Sequence, residues 1–206
     1  MTSNLDEKGL RSIFNEYDVF FIDIWGVVHN GLNLFQNSVE VLEKLEKYKK
    51  QYVLLTNAPR PNLTVIEYLK KMGLDEKKAQ QVYTSGQAAL DQLKTMNSKS
   101  FFHIGPPRDF DLFKTFENRK VEKIDSCDFL LCTGLFDDHE SELMFYEKLL
   151  LDHIEKKMIC TNPDLVVDRG EEREFCAGSV AKIFENLGGE VKYFGKPYPE
   201  VYEKAF

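Results

Sequence analysis

Val19-Phe20-Phe21-Ile22-Asp23-Ile24-Trp25-Gly26-Val27 sets four apolar residues directly before a carboxylate. A short apolar run without polar alternation reads as a strand buried on both faces, the kind found in parallel sheets. Asp23 then falls at the carboxyl end of that strand. Working outward, Ser38 to Lys50 carries Val39, Leu42 and Leu45 at helical spacing. Tyr52-Val53-Leu54-Leu55 is a second buried strand ending at Thr56-Asn57. Pro61 suits a first helical turn, with Leu63, Ile66 and Leu69 on the apolar face and Gly73 as a stop. Gln81 to Thr84 is a third strand, and Ser85 reads as the N-cap of the next helix.

This alternation of strand and helix predicts an α/β fold with a parallel sheet. In such sheets ligands bind beyond the carboxyl ends of the strands, so Asp23 and Thr56 are expected to share one crevice. The rhythm resumes with Phe101–Gly105, Phe129–Cys132, a helical stretch from Ser141 to Lys156, and Met158–Thr161 ending in Asn162-Pro163-Asp164. Ser179 is read as the cap of a helix with Val180, Ile183, Phe184 and Leu187 inward. Val191–Phe194 then leads into Gly195-Lys196-Pro197.

The bulk composition narrows the function classes. The 206 residues are 43% hydrophobic and 13% aromatic, enough for a sizeable core. A net charge of −7 argues against a general nucleic-acid binder, which needs clustered Lys and Arg, but leaves room for a locally positive site. Cys127, Cys132, Cys160 and Cys176 form no C-x-x-C pair and are read as reduced, mostly buried thiols. The polar start MTSNLDEKGL resembles no signal segment, and no run approaches a membrane span. The expectation is a soluble, cytoplasmic protein.

Taken singly, the polar residues at the strand ends say little. An Asp after an apolar strand is more often a cap, Thr-Asn is more often turn chemistry, and Gly-Lys-Pro alone is uninformative. Their order and shared context carry the signal: Asp23-Ile24-Trp25-Gly26-Val27, Leu55-Thr56-Asn57 and Gly195-Lys196-Pro197 each follow a strand run. Together they resemble the haloacid dehalogenase (HAD) superfamily, in the class IIA branch of p-nitrophenylphosphatase-like and pyridoxal-phosphatase-like enzymes. Thr161-Asn162-Pro163-Asp164 and the Ala177-Gly178-Ser179 helix start resemble the same branch.

The resemblance implies a Rossmann-like HAD core in residues 1–95, an inserted α/β cap in 96–190, and a return to the core in 191–206. It implies a Mg²⁺-dependent phosphohydrolase acting on a small phosphorylated metabolite through an aspartyl-phosphate. Asp23 would be the nucleophile and a Mg²⁺ ligand, and the Trp25 carbonyl a second ligand. The Thr56 hydroxyl and Asn57 amide would hold phosphate oxygens, and Lys196 would neutralise charge. Trp25, Gly26, Asn162 and Asp164 are the further substrate-binding candidates. A homodimer is also expected by resemblance.

The sequence departs from the pattern in two places. Most phosphatases of the superfamily carry a second Asp two residues after the nucleophile as general acid and base. This chain has Trp25 there, in an Asp-x-Trp-Gly-Val pattern that resembles a distinct subgroup. The family's fourth motif, an acidic loop completing the metal site, would follow Phe206 with the last core strands. The expectation is therefore a fragment with weak metal binding and poor turnover. A phosphotransferase, a non-catalytic phosphate-ester-binding protein and a dehalogenase stay open as alternatives.

Overall fold

The computed structural model of the chain describes residues 9–96, 98–169 and 172–205. The first eight residues of the polar N-terminal stretch and Phe206, both used above, lie outside them. The first half runs β1 (Val19–Ile22), α1 (Gln36–Lys47), β2 (Gln51–Thr56), α2 (Asn62–Lys71), α3 (Glu76–Ala79), β3 (Val82–Thr84) and α4 (Ser85–Thr95). The strands form a parallel sheet in the order β1-β2-β3, with Phe20 opposite Tyr52 and Leu54 opposite Val82. The second half runs β4 (Phe101–Ile104), β5 (Phe129–Cys132), α5 (Leu143–Leu150), β6 (Lys157–Cys160), the hairpin β7 (Val166–Arg169) and β8 (Glu172–Phe175), α6 (Ala177–Asn186), β9 (Glu190–Tyr193) and α7 (Pro199–Ala205). Here β4-β5-β6-β9 make a second parallel sheet, beside the antiparallel β7-β8 pair.

The α/β architecture with parallel sheets matches the expectation from alternation. Several local readings shift, each for a physical reason. α1 begins before Ser38, whose hydroxyl donates to the Val27 carbonyl at 2.5 Å instead of starting the helix. Thr84, not Ser85, caps α4: its Oγ1 accepts the Gln87 N–H at 2.9 Å, while the Ser85 hydroxyl donates to the Ala58 carbonyl at 3.1 Å. Ser179 lies inside α6, its hydroxyl donating to the Leu165 carbonyl at 2.6 Å, and Cys176 stands at the cap position. The Ser141–Lys156 helix shortens to α5 followed by a 3₁₀ turn, Leu151–His153. β9 starts at residue 190 and pairs with β6 in the second sheet.

Burial explains why β2 and β5 read as apolar runs, but β1 is not buried on both faces as expected: Phe21 is exposed, its ring edge-on to Tyr202 at 5.4 Å. All four residues of β5 are buried, as are Leu54 and Leu55 of β2. Each fully buried leucine of this kind contributes roughly 1.5–3 kcal/mol. One apolar cluster joins the halves, packing Leu55, Ala88 and Leu93 from the first against Phe101, Phe129, Leu131 and Phe194 from the second. All four cysteines are buried. Among the described residues, no helix is long and apolar enough to cross a membrane.

Candidate active site

The carboxyl ends of β1 and β2 deliver Asp23 and Thr56 to one wall of a cleft of about 1020 Å³. Lys196, just past β9, reaches the same cleft from the second sheet. Its Nζ donates to Asp23 Oδ1 at 2.5 Å and to the Leu55 carbonyl at 3.0 Å. The Ile24 N–H donates to the same Asp23 oxygen at 2.8 Å. The carboxylate is thus held by one charged and one main-chain donor, and charge assistance makes the lysine bond the stronger of the two. Thr56 is buried, and its Oγ1 accepts the Ala58 N–H at 3.2 Å.

Asn57 ties this wall to the second sheet. Its Oδ1 accepts the Lys196 N–H at 2.7 Å, and its Nδ2 donates to the Lys196 carbonyl at 3.0 Å and to Asp164 Oδ1 at 2.9 Å. Asp164 is in turn held by an Asx turn, its N–H donating to Asn162 Oδ1 at 3.0 Å. The approach requires glycine at 195. Its φ is +134°, and a Cβ there would lie 2.5 Å from Pro163 Cδ and 2.7 Å from Asn57 Oδ1. The Asn57 side-chain amide is therefore committed to Lys196 and Asp164. What it leaves for an anion is the Asn57 main-chain N–H, which donates to nothing among the described residues.

Of the residues singled out in the sequence, Asp23, Trp25, Thr56, Asn57, Asn162, Asp164 and Lys196 all line the cleft. Gly26 does not. It turns the backbone at φ +74° and donates its N–H to the His29 carbonyl at 2.8 Å. That turn leaves the Trp25 main-chain N–H and carbonyl without partners among the described residues.

The cleft also contains groups that sequence reasoning missed. Arg60 spans the two halves. Its Nη2 lies 3.1 Å from Asp109 Oδ1, and its Nη1 donates to the Arg108 carbonyl at 2.7 Å. Burial raises the Asp109 carboxyl to about 6, against the opposing pull of Thr133 and Arg60. His29 is buried under Trp25, and its Nδ1 accepts the Gly31 N–H at 2.8 Å, which puts the neutral ring's proton on Nε2. Burial lowers its pKa, with the Asp23 charge opposing. Arg60 lies three residues past Asn57, which is a usable sequence signal. Nothing in the sequence pattern marks Asp109.

A model of haloacid dehalogenase-like hydrolases matches residues 20–117 of the chain. A solved haloacid dehalogenase-like hydrolase from Brucella suis is 32% identical, with a TM-score of 0.83 over 95% of this chain and 72% of that one. A 4-nitrophenylphosphatase from Thermotoga maritima is 25% identical, with a TM-score of 0.71 over 93% and 73%. A glycerol phosphate phosphatase from Mycobacterium tuberculosis, solved with calcium, shares the fold at 21% identity and a TM-score of 0.69 over 94% and 57%. No curated protein matches the chain. With the strand-end carboxylate, the threonine and the lysine gathered in one cleft, the chain belongs to the haloacid dehalogenase-like hydrolase family.

Proposed function

We propose that this hydrolase is a phosphohydrolase of a small phosphorylated metabolite, working through an aspartyl-phosphate on Asp23 with Mg²⁺. The observation that carries the reading is Lys196 Nζ at 2.5 Å from Asp23 Oδ1 in the shared cleft. Similarity to a 4-nitrophenylphosphatase supports phosphate esters as the substrate class.

An Asp23 oxygen attacks phosphorus, the ester P–O bond breaks, and the alcohol oxygen leaves with the bonding electrons. Water then attacks the same phosphorus, releasing phosphate and restoring the carboxylate. The Thr56 hydroxyl and the unpaired N–H groups of Trp25 and Asn57 would hold the phosphoryl oxygens. Lys196 would offset the charge that gathers there. The Asp23 carboxylate and the unpartnered Trp25 carbonyl are hard oxygen donors. They suit Mg²⁺, a cation that commonly takes one or two carboxylates, substrate phosphate and water. Bound there, it would supply further neutralisation of phosphoryl charge. Residues 96–190 would act as the cap, with the β7-β8 hairpin contributing Val167 and Phe175 to the cleft. Solvent would protonate the leaving alkoxide, because the Trp25 indole is not an acid that can do so.

The test is phosphate release from a panel of esters with Mg²⁺ and with chelator, beside Asp23→Asn. Turnover that needs the metal and falls by about 10³-fold or more in the variant supports the reading. Undiminished turnover in Asp23→Asn would sink it. Trp25 favours a second reading, in which slow hydrolysis of the aspartyl-phosphate permits transfer to another acceptor. Acid-quenched reactions should then contain phosphorylated protein, and an immediate stoichiometric loss of that species would remove the transferase reading.

A further inference from the structure

We propose that Trp25 is a specificity-determining residue whose exposed indole packs against a flat, apolar group next to the phosphate of the substrate. The proposal rests on the phosphohydrolase reading and adds the substrate's shape. Large aromatic side chains are ordinarily withdrawn from water, yet Trp25 is 41% exposed and opens into the cleft two residues from Asp23. Tyr68 (41%) and Phe175 (39%) line the same cleft, the first from α2 and the second from β8 across the opening.

The ring is held from behind. His29 meets it edge-on at a centroid distance of 5.3 Å, and Tyr68 meets His29 at 5.6 Å. The Tyr68 hydroxyl donates to the Gly31 carbonyl at 2.7 Å, while the Gly31 N–H holds His29. Gly31 leaves room for the indole: a Cβ there would stand 2.9 Å from Trp25 Cη2. Such a shelf has little rotamer freedom left to lose on binding, so its contact area converts well into affinity. A π-face prefers another planar system over a puckered one of similar area. Asp23 and Trp25 line the same cleft, so a substrate whose phosphate reaches Asp23 offers its neighbouring group to the indole.

The experiment uses methylphosphonate, cyclohexylphosphonate and phenylphosphonate, which cannot be hydrolysed, titrated with Mg²⁺ by calorimetry. Trp25 is the only tryptophan, so its emission reports the contact directly. Phenylphosphonate should bind about tenfold tighter than methylphosphonate, bind several-fold tighter than cyclohexylphosphonate, and shift the emission. In Trp25→Leu the phenyl-to-cyclohexyl preference should vanish. Equal binding of the three, a preference for cyclohexyl, or a phenyl preference that persists in Trp25→Leu would overturn the proposal. If the variant does not fold, the wild-type ranking and the emission shift decide alone. Failure of all three phosphonates to bind would instead overturn the phosphohydrolase reading, and this one with it.

Discussion

The two parallel sheets are built alike and contribute unlike things. Both are made of short strands in parallel register, and apolar clusters pack helices against them. The first ends in a carboxylate and a hydroxyl, Asp23 and Thr56. The second returns the cation, Lys196, after its last strand. Neither sheet holds the site alone, and Asn57 bonds across the junction to Lys196 and Asp164. The difference teaches that similar scaffolding does not make equivalent surfaces, because the residues at strand ends decide which wall carries the anion and which one the cation.

The sharpest way to break this comparison is to remove the second sheet's contribution. Lys196→Ala should cost about 10²–10³-fold in kcat, while Lys196→Arg recovers part of it. An unchanged kcat in steady-state phosphate release would mean that the second sheet is only a cover. Next in size is the junction. Asn57→Ala strands the Lys196 N–H and carbonyl and frees Asp164. Denaturant unfolding should show a loss of about 3 kcal/mol, and a loss below about 0.5 kcal/mol would separate the two walls energetically.

Arg60 and Asp109 form a second link between the walls, and it should respond to pH. The Asp109 carboxyl is raised from 3.8 to about 6 by burial, so the folded state binds more protons than the unfolded chain between those values. Stability is therefore greatest below about pH 4 for this group and is lost as pH rises to about 6, by roughly 2 kcal/mol. Asp109→Asn should remove that slope from chemical-denaturation midpoints measured across the interval. A slope that survives the substitution would assign it elsewhere. Smallest is Gly195→Ala, where the close approach to Pro163 and Asn57 strains the backbone by about 1–3 kcal/mol. Its readout is a lower melting temperature, and an unchanged one would mean that the loop yields freely.

Phe129–Cys132 was legible because a strand buried on both faces has no alternation to obscure it, whereas Val19–Ile22 reads as the same kind of run although Phe21 is exposed. Asp23, Thr56 and Lys196 were legible through the order of their three motifs, each at or just beyond the end of a strand. The caps were less so. Ser85 and Ser179 are chemically able to cap, but Thr84 and Cys176 hold the cap positions, and both serine hydroxyls found carbonyls elsewhere. Asn57 was singled out in the sequence, yet its side chain bonds Lys196, a partner 139 positions away that no local pattern reports. Asp109 was invisible for the same reason. Its character comes from burial against Arg60 and Thr133, which only the packed halves supply.

The bond between Asp23 and Lys196 closes over 173 positions of chain, and the Asn57 bonds to Lys196 over 139. Contacts this distant are rewarded only after the intervening segments are ordered. During synthesis the carboxylate emerges early and remains without its cation until the second sheet has formed. Under the proposed mechanism the order of folding acts as a safety interval: the nucleophile is present from the start, but it is armed last.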